Sequence, residues 1–169
     1  MKIKIDSQLV ELAGRNWLMS QLLQAGLEVA KPERDRGIDL VVYLDLDKTV
    51  GDFVACPIQI KSARERSFGL DPKYKRFPRL LLVQIWHVEE SHKTEAFAMT
   101  YVEALGVARK MGWTKTASWK TGANTGKRGY YVSTVNDDSR LWGLLEPFKM
   151  SPKKWKHKII EVAQAIKDQ

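Results

Sequence analysis

Apolar positions along this chain change their spacing several times, and each change marks an element. In "SQLVELAGRNWLMSQLLQAG" (Ser7 to Gly26) leucines recur at helical spacing, with Ser7 as the expected cap and Gly26 as a glycine stop. A short extended piece, "LEVAKP", and a loop, "ERDRG", follow. The period then drops to two. In "IDLVVYLDLD" the residues Ile38, Leu40, Val42, Leu44 and Leu46 alternate with Asp39, Val41, Tyr43 and Asp45, which predicts a strand with one apolar face. After a turn near "KTVGD", "FVACPIQIK" places Val54, Cys56, Ile58 and Ile60 on one face and Gln59 and Lys61 on the other. The two strands read as a hairpin. Pro57 has no N–H, which argues for an unpaired or bulged side at that point.

Beyond a basic loop from Arg64 to Arg79, "LLLVQIWHV" has the continuous apolar character of a strand covered on both faces. "EAFAMT" predicts a further strand, "YVEALGVARKM" a helix, and "TKTASWKTGANTGKRG" a long polar loop ahead of the strand "YYVSTV". "DSRLWGLLEPF" reads as a short helix, and a last helix opens at Ser151-Pro152. Mixed strands and helices predict an α/β or α+β arrangement, and 169 residues with 44% hydrophobic content suit one domain over 1–169.

Charge sharpens this picture. The formal balance is +8, but residues 1–60 carry 7 Lys+Arg against 9 Asp+Glu, while residues 61–169 carry 21 against 11. The basic C-terminal part suits a polyanion, because Lys and Arg along phosphates release condensed counterions. A basic surface kept for solubility is the plainer alternative. The single cysteine, Cys56, excludes an intrachain disulfide and a multi-cysteine zinc site. With no apolar run approaching the roughly 20 residues that span a bilayer and no signal-peptide pattern, the expectation is a cytoplasmic protein that does not enter membranes.

Asp39, Gln59 and Lys61 raise the chemical question, because charged groups among strand formers need a partner or a metal. In a hairpin the three share a parity opposite to their apolar neighbours and meet on one face of the sheet. On the first helix, Glu11 lies close to the line of Leu18 and Leu22, so packing through those leucines is expected to turn it inward. Two carboxylates, a glutamine oxygen and a backbone carbonyl form an oxygen-rich shell suited to Mg²⁺. Lys61 beside it would orient the attacking water and offset charge on a phosphate. The competing structural reading pairs Asp39 with Lys61, and Glu11 with Arg15 along the helix.

The ordered set Glu11, Asp39 and Gln59-Ile60-Lys61, on helix, strand and strand, resembles the PD-(D/E)XK nuclease superfamily in its Q-x-K variant, and "LLQAGLEVAKPERDRGIDLVVY" is similar to small bacterial restriction, homing and junction-resolving members. The resemblance spans roughly Glu11 to Ala63. It implies a restriction-endonuclease-like mixed sheet flanked by helices. It also implies Glu11, Asp39, Gln59 and the Ile60 carbonyl as metal ligands, with Lys61 catalytic. Two departures stand out: Gly37-Ile38 replace the proline before Asp39, and neutral Gln59 removes a charge from the cage.

The expected activity is Mg²⁺- or Mn²⁺-dependent hydrolysis of DNA. The rivals are a non-catalytic nucleic-acid-binding domain of the same fold and an RNA-directed nuclease. Expected phosphate contacts are Arg64, Arg66, Lys73, Lys75 and Arg76, with Lys120, Lys127 and Arg128 in the later loop. Phe68, Tyr74, Phe77, Trp119 and Trp155 are interleaved with the basic clusters, as base-stacking residues would be, although core packing is the better reading for Trp155, as for Trp17, Trp86 and Trp142. "GANTGKRG" falls short of a phosphate-binding loop in spacing and lacks its Ser or Thr. Cutting both strands of a duplex would call for a homodimer.

Overall fold

The computed structural model describes residues 6–34, 36–45, 53–123, 126–129, 131–134 and 138–165, without the side chains of 45, 53 and 131–134. Leu46 and the turn expected at "KTVGD" lie outside the described residues. Helix α1 runs over Ser7–Gln24. Its cap is Asp6 and not Ser7: the Asp6 carboxylate accepts from the Gln8 N–H at 3.2 Å, and the Ser7 hydroxyl donates to that same carboxylate. The stop is as expected. Gly26 has φ +73°, and the N–H groups of Gly26 and Leu27 return to the carbonyls of Leu23 and Leu22, the double closure of a Schellman motif.

The main sheet has five strands, β1 (Glu28–Ala30), β2 (Leu40–Asp45), β3 (Phe53–Ser62), β5 (Leu81–Trp86) and β6 (Glu95–Met99), in the order β1-β2-β3-β5-β6. Among the described residues β3 and β5 run parallel and the other neighbours antiparallel, so the sheet is mixed. The stretch expected to be a loop from Arg64 to Arg79 contains β4 (Ser67–Leu70) and a 3-10 turn over Pro72–Arg76. Strand β4 pairs with β7 (Tyr131–Thr134) in a small antiparallel sheet. It is tied to β5 by side chains: the Gln84 amide donates to the Gly69 carbonyl and the Trp86 indole to that of Ser67. Alternation was too short there to show in the sequence.

Helices flank both faces of the sheet, giving a single-domain α/β fold. On one face α1 and α5 (Pro152–Gln164) bury Leu18, Leu22, Trp155 and Ile159 against Val54, Cys56, Ile58 and Ile60. On the other, α2 (Tyr101–Lys110) and α4 (Ser139–Leu145) pack with Phe68, Leu82, Trp86 and Phe97. The polar segment after α2 also holds structure: a 3-10 turn at Trp113–Lys115 and a one-turn helix α3 (Ala117–Thr121), which Thr116 caps at the Trp119 N–H. Strand β3 is central despite Pro57. The β3–β5 ladder begins only at Ile58 opposite Leu81, so the missing N–H falls before that pairing starts.

Candidate active site

Strands β2 and β3 part at Asp39, and that divergence builds the site. Leu40 is in register with Ile58, yet the Asp39 N–H also donates to the Ile58 carbonyl at 2.9 Å, two residues against one as in a β-bulge. The alternation read from Ile38 to Leu46 therefore breaks at Asp39. Ile38 packs in the α2–α4 core and Leu40 in the α1–α5 core. Asp39 does not stand beside Gln59 and Lys61 as one more residue on their face. Its carboxylate continues the ladder, with Oδ2 accepting from the Ile60 N–H at 2.5 Å.

The same Oδ2 accepts from the Gln59 side-chain amide at 2.5 Å, and that amide nitrogen also lies 3.2 Å from the Ile60 carbonyl. Two oxygens thus converge on one point beside the Gln59 side chain, which is buried. Lys61 follows, exposed. Helix α1 supplies Glu11 and Arg15, and these seven residues, Glu11, Arg15, Asp39, Gln59, Ile60, Lys61 and Ser62, line one cleft of about 220 Å³. The four residues expected to carry chemistry are brought together. Glu11 differs in one respect: it is exposed rather than turned into the core, because α1 buries Val10, Gly14, Leu18 and Leu22 while Glu11 faces the open cleft.

Among the described residues neither ion pair of the competing structural reading is formed: the salt bridges include no Lys61–Asp39 or Glu11–Arg15 contact. Arg15 and Ser62 are cleft residues that sequence reasoning did not assign. Arg15 was legible from its position four residues after Glu11, on the same helix face. Ser62 was not, since a serine after Lys61 signals nothing without knowing that α1 crosses it.

The Gln59 amide nitrogen, not its oxygen, faces Asp39 Oδ2 and the Ile60 carbonyl. The oxygens that suit a hard divalent cation as placed are therefore the two carboxylates and that carbonyl, with waters to complete the shell and the Gln59 oxygen joining only if its amide turns over. No group of three or more His, Cys, Asp or Glu side chains among the described residues is placed to hold a metal, so a cation here would depend on neutral oxygens and water.

The basic residues are placed unevenly. Arg64 and Arg66 border a wider hollow of about 660 Å³ that shares Glu11 and Ser62 with the cleft. Both have intramolecular contacts, Arg64 with Glu89 at 2.5 Å and Arg66 over the Trp142 ring at 4.5 Å. Asp71 draws the two other clusters together, lying 3.9 Å from Lys73 and 3.4 Å from Lys127. Lys75, Arg76, Lys120 and Arg128 are exposed. Of the interleaved aromatics, Phe68, Tyr74 and Trp155 are buried in the core and cannot stack on bases, whereas Phe77 is exposed.

No family model matches the chain, and no curated protein matches it. A solved structure, that of the bacterial homing endonuclease I-Ssp6803I, is similar with a TM-score of 0.48 and 17% identity over 96% of this chain and 97% of that one. So distant a likeness leaves the chemistry to be read from the side chains themselves. No helix among the described residues is long and apolar enough to cross a membrane.

Proposed function

We propose that the chain is a metal-dependent endodeoxyribonuclease of the PD-(D/E)XK type with a Q-x-K element. The observation that carries this reading is the convergence of Glu11, Asp39, Gln59, Ile60 and Lys61 on one cleft. Asp39, Glu11 and the Ile60 carbonyl would hold Mg²⁺ or Mn²⁺, and Gln59 would join through its side-chain oxygen once its amide turns over. Such a cation supplies Lewis acidity to a phosphate oxygen and makes a water easier to deprotonate.

The protein's own groups do the rest. Lys61 is exposed on the cleft, where its ammonium orients a water and offsets charge that builds on the phosphorane-like transition state. Asp39 is held in place by the Ile60 N–H, so its position is set by the central strand and not by a loop. Arg64 and Arg66, at the adjoining hollow, place the DNA backbone. Double-strand cutting calls for two such sites. Helix α1 exposes Leu9, Leu12 and Leu23 away from the core, a surface on which a second copy could pair, and the molar mass in solution with and without DNA tests a homodimer.

The test of function is incubation with supercoiled, linear and branched DNA and with structured RNA, in Mg²⁺, Mn²⁺ or EDTA. Asp39→Asn and Lys61→Ala serve as controls. Cleavage of DNA that needs metal and disappears in both variants is expected. Binding without cleavage would favour the non-catalytic domain, and preferential cutting of RNA the RNA-directed nuclease.

A further inference from the structure

On the far side of the Gly37–Asp39 segment lies a second cavity of about 470 Å³. Its walls are apolar, from Ile38, Pro57, Tyr74, Leu80 and Phe77, and among the described lining residues the charged ones are Arg36, Lys73 and Arg76. Phe77 is 46% exposed, one of few large apolar side chains left open to solvent, while Tyr74 beneath it is buried. The wall is preformed: the Phe77 N–H donates to the Tyr74 carbonyl and the Leu80 N–H to that of Phe77. Cations already lie over both rings, Lys73 4.8 Å from the Tyr74 ring and Arg76 5.1 Å from that of Phe77.

An exposed aromatic ring beside three basic residues is complementary to a flat neutral ring bearing anions at its edge, which is the chemistry of a nucleotide in a single strand. Its position gives the second argument. Gly37 and Ile38 line this cavity, and the next residue is Asp39 of the cleft. Gly37 has φ +89°, and a side chain there would begin 3.6 Å from Gln59 Oε1. The cavity and the cleft therefore adjoin along the Gly37–Asp39 backbone.

We propose that this cavity receives an unpaired nucleobase of the strand entering the cleft, with Phe77 stacking on the base and Arg36, Lys73 and Arg76 holding its flanking phosphates. This rests on the nuclease reading and extends it: the preferred substrate carries an unpaired or extrudable base beside the cleaved bond, as at a bulge, nick or branch.

The test compares a perfect duplex with the same duplex carrying one bulged 2-aminopurine, in EDTA so that nothing is cut, and reads the ratio of the two affinities by fluorescence anisotropy. The wild-type protein is expected to favour the bulged duplex by about ten-fold, within the range of base-on-aromatic stacking. Phe77→Ala is expected to bring the ratio close to one and Phe77→Trp to restore it, with 2-aminopurine quenching following the same order. Equal affinities in the wild type, or a ratio that Phe77→Ala leaves unchanged, overturn the proposal. If the wild type then still cuts DNA with metal, only the base site is lost. If neither duplex binds, the nuclease reading falls with it.

Discussion

Gly14 of α1 rests directly on Ser62 of β3: a Cβ added at Gly14 would lie 2.0 Å from Ser62 Oγ and 2.7 Å from Ser62 Cβ. This contact sets how near α1 comes to the central strand. Glu11 lies one helical turn before Gly14 and Lys61 one residue before Ser62, so the same contact sets the width of the cleft. The Ser62 hydroxyl is buried there and has no hydrogen-bond partner among the described residues.

Gly14→Ala is accordingly expected to destabilise the fold by about 1–3 kcal/mol, the usual range for forced overpacking. It is also expected to lower cleavage by displacing Glu11. Gly14→Ala combined with Ser62→Gly removes both clashing atoms and should recover part of each loss. Chemical denaturation and cleavage rates of the three variants check this, and a stable, fully active Gly14→Ala would contradict the close approach.

Asp39 has a structural and a chemical task that two substitutions separate. Asp39→Ala leaves the Ile60 N–H without its acceptor, at a cost of about 1–3 kcal/mol. Asp39→Asn retains an oxygen for that N–H and removes the charge. We expect Asn to unfold close to the wild-type midpoint and Ala well below it, with neither cutting DNA. Thermal melts beside cleavage assays read the difference.

Gln59→Glu places a second carboxylate within hydrogen-bonding distance of Asp39 Oδ2 and loses the amide that joins Asp39 to the Ile60 carbonyl. Like charges at that separation repel, so in EDTA the variant should melt below the wild type. If the cleft binds a divalent cation, Mg²⁺ should stabilise Gln59→Glu more than it stabilises the wild type, because the added charge strengthens metal binding. Equal Mg²⁺ responses would count against metal at this position.

Lys61 is exposed and forms no ion pair with Asp39, so Lys61→Ala should change stability by no more than about 0.5 kcal/mol. Its effect is expected in the rate of cleavage, with DNA affinity nearly retained. A large loss of stability would instead place Lys61 among the structural residues.

Burial pushes the Cys56 thiol up from its ordinary value of 9.0 to about 12, against a smaller lowering by Lys158. The folded protein thus holds this proton more tightly than the unfolded chain does. The associated stability is fully present below about pH 9 and is lost as pH rises toward 12. Urea midpoints at pH 8 and pH 10.5 should fall less in Cys56→Ala than in the wild type. The native thiol should also resist alkylation at pH 8 until denaturant is added.

The sequence by itself determined the elements that repeat a period long enough to read: α1 with its glycine stop, the alternation of β2 and β3, the fully buried β5, and the order in which Glu11, Asp39, Gln59 and Lys61 occur. Those signals are local, since side chains three, four or two residues apart share a face whatever lies beyond. Tertiary structure decided what depends on distant neighbours. Strand β4 forms because β7, far along the chain, pairs with it, and α3 is too short to show a period. The break of alternation at Asp39 arises from how β2 leaves β3, and the exposure of Glu11 from where α1 passes over Ser62. Phe68 and Phe77 look alike in a run of basic residues, yet packing against the sheet buries one and leaves the other on the rim of a cavity, because burial is a property of the assembled surface and not of the residue.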